Sequence, residues 1–222
     1  MVNGKCRGLI PDSSRPLLYL ITDRRRLARR KSKSEIASLF DFVSEAFNAG
    51  VDMAQIREPD LCARELCGLL SPLVEKARRY DARVLVNDRA DVAAATGAGV
   101  HLTTRSIPIE AVRKSFGPDL LIGASTHSMK EAEAAQTGGA DFIVFGPVFE
   151  TASKIAYGPP VGLDPLAEAA ARLHIPVLAL GGINMTNFRM PLERGAAGVA
   201  AISLFVEAEN LVSVVKVLKD RV

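Results

Sequence analysis

Tryptophan is missing from this 222-residue chain, and cysteine and histidine number three each. Each shortage removes a class of protein. Cys6, Cys62 and Cys67 form an odd set with no CxxC or metal-ligand spacing, which argues against a disulfide framework and a cysteine-rich metal site. Long apolar runs are also lacking: the hydrophobic stretches are short and broken by charge or glycine, so none reads as a spanning helix. Residues 1–16, MVNGKCRGLIPDSSRP, have no apolar core of the kind a secretion signal needs and read as an N-terminal extension. Together these absences predict a reduced, cytoplasmic setting and no membrane partner.

Aromatic residues make up only 5% of the chain, and their distribution bears on its charge. The net charge of +3 conceals an asymmetry: residues 1–33 hold ten Lys/Arg against two Asp, and the remainder is net acidic. A basic arm on an acidic body raises nucleic acid as a partner. However, the run Arg24, Arg25, Arg26, Arg29, Arg30, Lys31 has no interleaved aromatic to stack on bases, which argues against it. The arginines read better as a solvated loop, or as a field that draws in phosphorylated substrates.

What is present is apolar content of 48%, enough for a full core. Short β-rich runs alternate with longer amphipathic stretches, the pattern of parallel strands joined by helical crossovers. Strands are predicted at 17–21, 52–56, 83–86, 99–102, 120–123, 141–145, 176–180 and 197–202. Helices are predicted near 35–49, 61–80, 89–96, 107–115, 129–137, 163–173, 186–194 and 206–220. Gly50, Gly97, Gly138, Gly139 and Gly195 fall where a helix hands over to a strand, a position that favours a left-handed cap. Eight βα units with no spare strand predict one α/β domain over 17–222, a single (β/α)8 TIM barrel with its active site at the C-terminal ends of the strands.

Several segments then fall at that mouth. Gly181 and Gly182 follow the seventh strand, and Ile202-Ser203 follow the eighth; these two loops commonly bind phosphate through backbone N–H groups. The alternative is a plain tight turn. After the sixth strand, Thr151, Ser153 and Lys154 offer two hydroxyls and an ammonium for phosphate or pyrophosphate, on a connection that reads equally as a flap or a solvated loop. Gln55 and Arg57 alternate to one side of the second strand, suited to an amide edge and a phosphate, or to a structural pair. Asn87 and Asp88 end the third; Asp88 reads as a Mg²⁺ ligand or a helix N-cap. His127, in Ser125-Thr126-His127 just beyond the fifth, is the candidate acid/base, its alternative being a cap for the next helix. His101 lies within the fourth strand, and His174 at the opposite face.

The segments LYLITDR, QIRE, VNDRADVA, GVHL, IGASTHS, DFIVFGPVFETASK, LALGGI and AGVAAIS resemble, in order and spacing, the thiamin phosphate synthase/TenI superfamily over residues 17 to 205. The resemblance implies an enzyme of thiamin biosynthesis acting on a phosphorylated thiazole, and is compatible with a homo-oligomer. Within the superfamily, synthases join hydroxymethylpyrimidine pyrophosphate to thiazole phosphate with the help of Mg²⁺. Arg57, Asn87, Asp88 and Lys154 match the family's pyrophosphate and metal positions. Pro59 stands where the family carries a lysine, and Ser106 where it carries a second Mg²⁺ aspartate. TenI-type tautomerases instead aromatise carboxythiazole phosphate and need no metal, only a phosphate anchor and an acid/base at His127. On those two departures the resemblance favours the tautomerase. The synthase is the alternative, and a non-catalytic thiazole or thiamin phosphate-binding paralogue the third.

Overall fold

The computed structural model describes residues 15–27, 34–151 and 159–220. Eight parallel strands close into a barrel in sequential order. They are β1 (Leu17–Ile21), β2 (Met53–Ile56), β3 (Arg83–Asn87), β4 (Gly99–Leu102), β5 (Ile122–Thr126), β6 (Phe142–Phe145), β7 (Val177–Leu180) and β8 (Gly198–Ala201). Closure is made by β1 pairing with β8, Tyr19 opposite Ala200. Among the helices, α1 (Arg24–Leu27) and α2 (Glu35–Ala49) follow β1, α3 (Ala63–Arg78) follows β2, and α4 (Ala90–Thr96) follows β3. The next are α5 (Ile109–Phe116), α6 (Met129–Thr137), α7 (Leu163–Arg172) and α8 (Arg189–Glu193), with α9 (Ser203–Val206) and α10 (Leu211–Lys219) after β8.

Strand alternation separates two apolar layers. Leu17, Tyr19, Ile21, Met53, Leu85, Phe142, Val144, Leu178 and Ala200 fill the barrel interior. The alternate strand residues, such as Leu18, Leu20, Ala54 and Val86, pack outward under the helices. Leu66, Leu69, Leu70, Leu73 and Ala77, one stripe at helical spacing along α3, are all buried. At roughly 25 cal/mol per Å² of apolar surface, this double layer is the main stabilising term.

The structure corrects five details of the sequence reading. The fifth strand starts and ends later than 120–123, so Ser125 and Thr126 belong to it, paired with Val144 and Phe145. Its run Gly-Ala-Ser-Thr has weak strand propensity; Gly123 is there because a β-carbon would sit 2.4 Å from the Phe142 ring that fills the interior. The final helix is split: Asn210 accepts from Ser213 N and caps α10 separately from α9. The helix expected over 186–194 shortens to α8, since Asn184 and Asn187 fold residues 184–188 into a side-chain-bonded turn. Gly138 is right-handed, and the left-handed residue is Gly139.

The fifth correction concerns the basic stretch, which is not simply a solvated loop. Arg24 is buried and donates to Glu58 and Asp60 and, through Nε, to Glu35 at 3.0 Å. Hydrogen bonding to Asp60 is the main reason its pKa lies above the usual arginine value, and the same bond lowers that of Asp60. Arg25 bonds to Asp60, and Arg26 to Asp23, Glu207 and Ser203. Arg29, Arg30 and Lys31 lie outside the described residues.

Candidate active site at the barrel mouth

Gln55 lies on β2 pointing into the barrel, 2% exposed. Its Nε2 donates to Asn87 Oδ1 at 2.8 Å across the β2–β3 register. Its Oε1 is buried without a hydrogen-bond partner. A buried carbonyl oxygen without a donor costs about 1–3 kcal/mol, so such a group marks a place where a ligand can supply the missing N–H. Arg57 does not pair with Gln55: it is exposed, its side chain makes no ion pair among the described residues, and only its backbone N–H is engaged, by Thr22 Oγ1. Thr22 donates in turn to Glu58, so the Arg24 cluster anchors the backbone from which Arg57 projects.

Asp88 follows β3 with φ at +59°, a left-handed conformation rare for a residue with a side chain. It is not the helix cap; Arg89 occupies that position, with its guanidinium on Asp91. The Asp88 carboxylate is exposed and without a partner among the described residues. Asn87, Asp88 and Arg89 line a cavity of about 180 Å³ together with Glu58 and Pro59. A larger cavity of about 550 Å³ lies at the opposite end of β3–β5, lined by Arg78, Asp81, Arg83, Asp119 and Asp141, and collects none of the candidate residues.

His127 directly follows β5, half-buried. Ser128 caps α6, which leaves the imidazole free of that duty. The ring's Nδ1 donates to the carbonyl of Gly146, at the end of β6. Because a carbonyl only accepts, the neutral ring has its proton on Nδ1 and its lone pair on Nε2, the form needed in a general base. Ser125 lies two residues earlier, facing the interior, and bonds to His101 Nε2 at 2.9 Å.

At the β7 and β8 ends, Gly181 and Gly182 have φ of +101° and +66°. A β-carbon on Gly182 would come within 2.5 Å of the Glu150 carbonyl, so close packing of the loop after β6 already requires glycine here. The plain-turn reading therefore holds as geometry, and phosphate binding is compatible with it. Among the described residues, the N–H groups of Gly182, Ser203 and Leu204 have no hydrogen-bond partner. Ile202 precedes α9 and accepts from Phe205 and Val206. Ser203 Oγ accepts from Arg26 at 2.9 Å, a contact that the sequence alone did not suggest. Thr151 is half-buried at the edge of the described loop; Ser153 and Lys154 lie outside the described residues.

The described residues contain no cluster of three or more His, Cys, Asp or Glu side chains able to hold a metal. Glu58 is committed to Arg24 and Thr22. Ser106 is committed to Thr103, accepting its backbone N–H at 2.7 Å in a local turn. The Asp88 carboxylate, by contrast, has open coordination among the described residues. A single carboxylate suits Mg²⁺ when substrate phosphates and water complete its oxygen shell. No helix among the described residues is long and apolar enough to cross a membrane.

The sequence motifs and this geometry agree with what the chain is similar to. The family described as thiamine monophosphate synthase (TMP-TENI) matches residues 18–205. A putative thiamine-phosphate synthase of Geobacter sulfurreducens is 47% identical over 190 residues, covering 85% of this chain and 86% of that one. The thiamine-phosphate synthase of Chlorobium luteolum is 42% identical over 196 residues, covering 88% and 87%. A solved thiamine phosphate pyrophosphorylase from Pyrococcus furiosus superposes with a TM-score of 0.79 at 35% identity, covering 93% of this chain and 95% of that one. The chain belongs to the thiamine monophosphate synthase/TenI family.

Proposed function

We propose that this protein is an enzyme of thiamin biosynthesis and that it works as a thiamin phosphate synthase. The relatives described above carry the names thiamine-phosphate synthase, in one case putative, and thiamine phosphate pyrophosphorylase, whereas the tautomerase that the motifs favoured gains no specific support from them. The observation that carries the reading is the orphaned Gln55 Oε1. It can accept from an N–H donor, and the amino group of an aminopyrimidine is one; a carboxythiazole phosphate offers none at its ring edge. The same atom therefore favours the synthase over the tautomerase, a choice that the missing lysine and aspartate left open.

In this reading the amides of Gly182, Ser203 and Leu204 hold the thiazole phosphate, and Gln55 holds the pyrimidine. Arg57, together with Thr151, Ser153 and Lys154 on the motif match, is assigned to the pyrophosphate. Asp88 is the residue that would hold Mg²⁺, which when bound neutralises pyrophosphate charge. The thiazole nitrogen forms a bond to the pyrimidine methylene carbon. The carbon–oxygen bond to pyrophosphate breaks, and pyrophosphate departs with the electron pair. Holding both rings in one mouth supplies proximity, and donors around the departing anion supply electrostatic stabilisation.

A second reading keeps the tautomerase, on the observation that His127 presents a base-ready Nε2. One experiment distinguishes them: purified protein given hydroxymethylpyrimidine pyrophosphate and thiazole phosphate, or carboxythiazole phosphate alone, each with and without Mg²⁺. Mg²⁺-dependent thiamin phosphate is expected. Metal-independent aromatisation that disappears in His127→Ala, with no thiamin phosphate formed, would replace this reading with the tautomerase. Binding without turnover in either assay would leave the non-catalytic paralogue.

A further inference from the structure

Inside the barrel, below the mouth, three polar side chains form a chain. The Tyr19 hydroxyl lies 3.2 Å from His101 Nδ1, and His101 Nε2 lies 2.9 Å from Ser125 Oγ. Tyr19 is fully buried, His101 is 2% exposed, and Ser125 is half-buried at the upper end of β5. Tyr19 packs edge-on against the Phe142 ring at 5.5 Å, which holds the phenol in place. On distance alone the arrangement resembles a serine–histidine nucleophile with tyrosine as third member. Counting protons rejects that.

The His101 ring is buried between a phenol and a serine, with no carboxylate bonded to either nitrogen, so nothing offsets the cost of desolvating an imidazolium and the ring is neutral. A neutral imidazole has one donor nitrogen and one acceptor. Burial also raises the Tyr19 pKa, so the phenol keeps its proton. That proton needs an acceptor, and among the described residues His101 Nδ1 is the group within reach. Nδ1 is therefore the lone-pair nitrogen and Nε2 bears the hydrogen. Nε2–H donates to Ser125 Oγ, so the serine cannot pass its proton to histidine.

We propose that Tyr19 and His101 are positioning residues that fix Ser125 as a hydrogen-bond donor toward ligand at the barrel mouth. With Oγ already accepting from within, the serine hydrogen is left for an acceptor atom above it. Under the synthase reading, on which this role in turnover rests, that acceptor is an oxygen of the departing pyrophosphate. The same wiring excludes Ser125 as a nucleophile activated by His101.

The decisive measurement is the tautomer of His101, read by long-range proton–nitrogen correlation on protein labelled at histidine ring nitrogens. The signal is assigned by its loss in His101→Gln. A hydrogen on Nε2 and a bare Nδ1 are expected; Nδ1–H or a doubly protonated ring at neutral pH overturns the proposal. Kinetics supply the second arm. Gln at 101 can still donate an N–H to Ser125 and should keep kcat within about tenfold of the parent. His101→Leu and Ser125→Ala should each lose about a hundredfold in kcat with little change in KM. Equal losses in the Gln and Leu variants would reduce His101 to a packing residue and overturn the role. If the parent protein makes no thiamin phosphate, the proposed reaction fails, and the tautomer still decides the relay.

Discussion

The two ends of the barrel differ in what they leave open: the mouth has its own saturated cluster around Arg24, but beside it stand polar groups without partners among the described residues. At the N-terminal end, charged groups are paired within the chain. Lys219 bonds to both oxygens of Asp52 and to the Pro16 carbonyl, and Asp52 accepts from Leu18 N–H. Arg113 donates to the carbonyls of Gly117, Pro118, Leu120 and Gly139 and to Asp141, which also accepts from Ile122 N–H. At the C-terminal end, the Gln55 oxygen, the Asp88 carboxylate, the Arg57 guanidinium and the amides of Gly182 and Ser203 lack partners among the described residues. Saturated polar groups hold strand ends together, whereas the buried Gln55 oxygen raises the energy of the empty protein and the exposed groups, solvated by water, are free to meet ligand. The difference divides stability from function along one axis.

The strongest way to break that division is to disturb the saturated end and look for a functional effect. Arg113→Met keeps the side-chain stem but leaves Asp141 and four carbonyls short of donors. It should cost about 3 kcal/mol of unfolding free energy, measured by urea denaturation. The kinetic constants of the folded fraction should be unchanged; a selective loss of kcat would show that the ends are coupled.

His101, between the ends, links the two properties through pH. Its folded pKa is lowered to about 3 by burial, against 6.5 unfolded. Above pH 6.5 both states are neutral and its contribution is complete. As pH falls below that, the unfolded state takes up a proton that the folded state refuses. Stability then declines by at most about 1.4 kcal/mol per unit until the folded pKa is reached. Between pH 6.5 and 4.5, before most carboxylates titrate, the decline should total about 2 kcal/mol and be absent in His101→Gln.

How much of this was legible in the sequence follows the same physics. All eight strands and the barrel were readable because helix and strand periods differ and the apolar runs keep to them. The fifth strand was misplaced because its interior residues, Gly123 and Ser125, are small or polar to make room for Phe142 and to meet His101. That is a tertiary demand which local propensity cannot carry. The candidates within the described residues fall at the mouth because loops after barrel strands are fixed by topology. Their partnerships were not legible: that Arg24 is buried on Glu58, or that Gln55 bonds Asn87 and not Arg57, depends on contacts about thirty residues apart. The preference for a tautomerase came from two single-residue departures, and full-length relatives outweigh these.

At the unsaturated end, Gln55→Leu tests whether the orphaned oxygen serves ligand. Removing it deletes an unpaired buried acceptor, so the melting temperature should hold or rise, although Asn87 loses one donor. Loss of the pyrimidine contact should raise KM for hydroxymethylpyrimidine pyrophosphate by about thirtyfold, or about 2 kcal/mol. A fall in stability with unaltered KM would place Gln55 with the structural groups instead.

The smallest expected effect sharpens the comparison most finely. Pro59 is exposed beside the cavity that Asn87 and Asp88 line, at the position where the family carries a lysine. Pro59→Lys restores an ammonium next to the Asp88 carboxylate and the Arg57 guanidinium. In the free protein it gains little, because an exposed ion pair with Asp88 contributes at most about 1 kcal/mol. With pyrophosphate present it meets an anion of higher charge, and KM should fall about threefold at low ionic strength, an advantage that salt screens away. Stability should not change measurably, since the exposed proline at 59 fills no core position. An improvement that persists at high salt would mean that the lysine acts through backbone rearrangement, and that the mouth is less rigid than the saturated end that supports it.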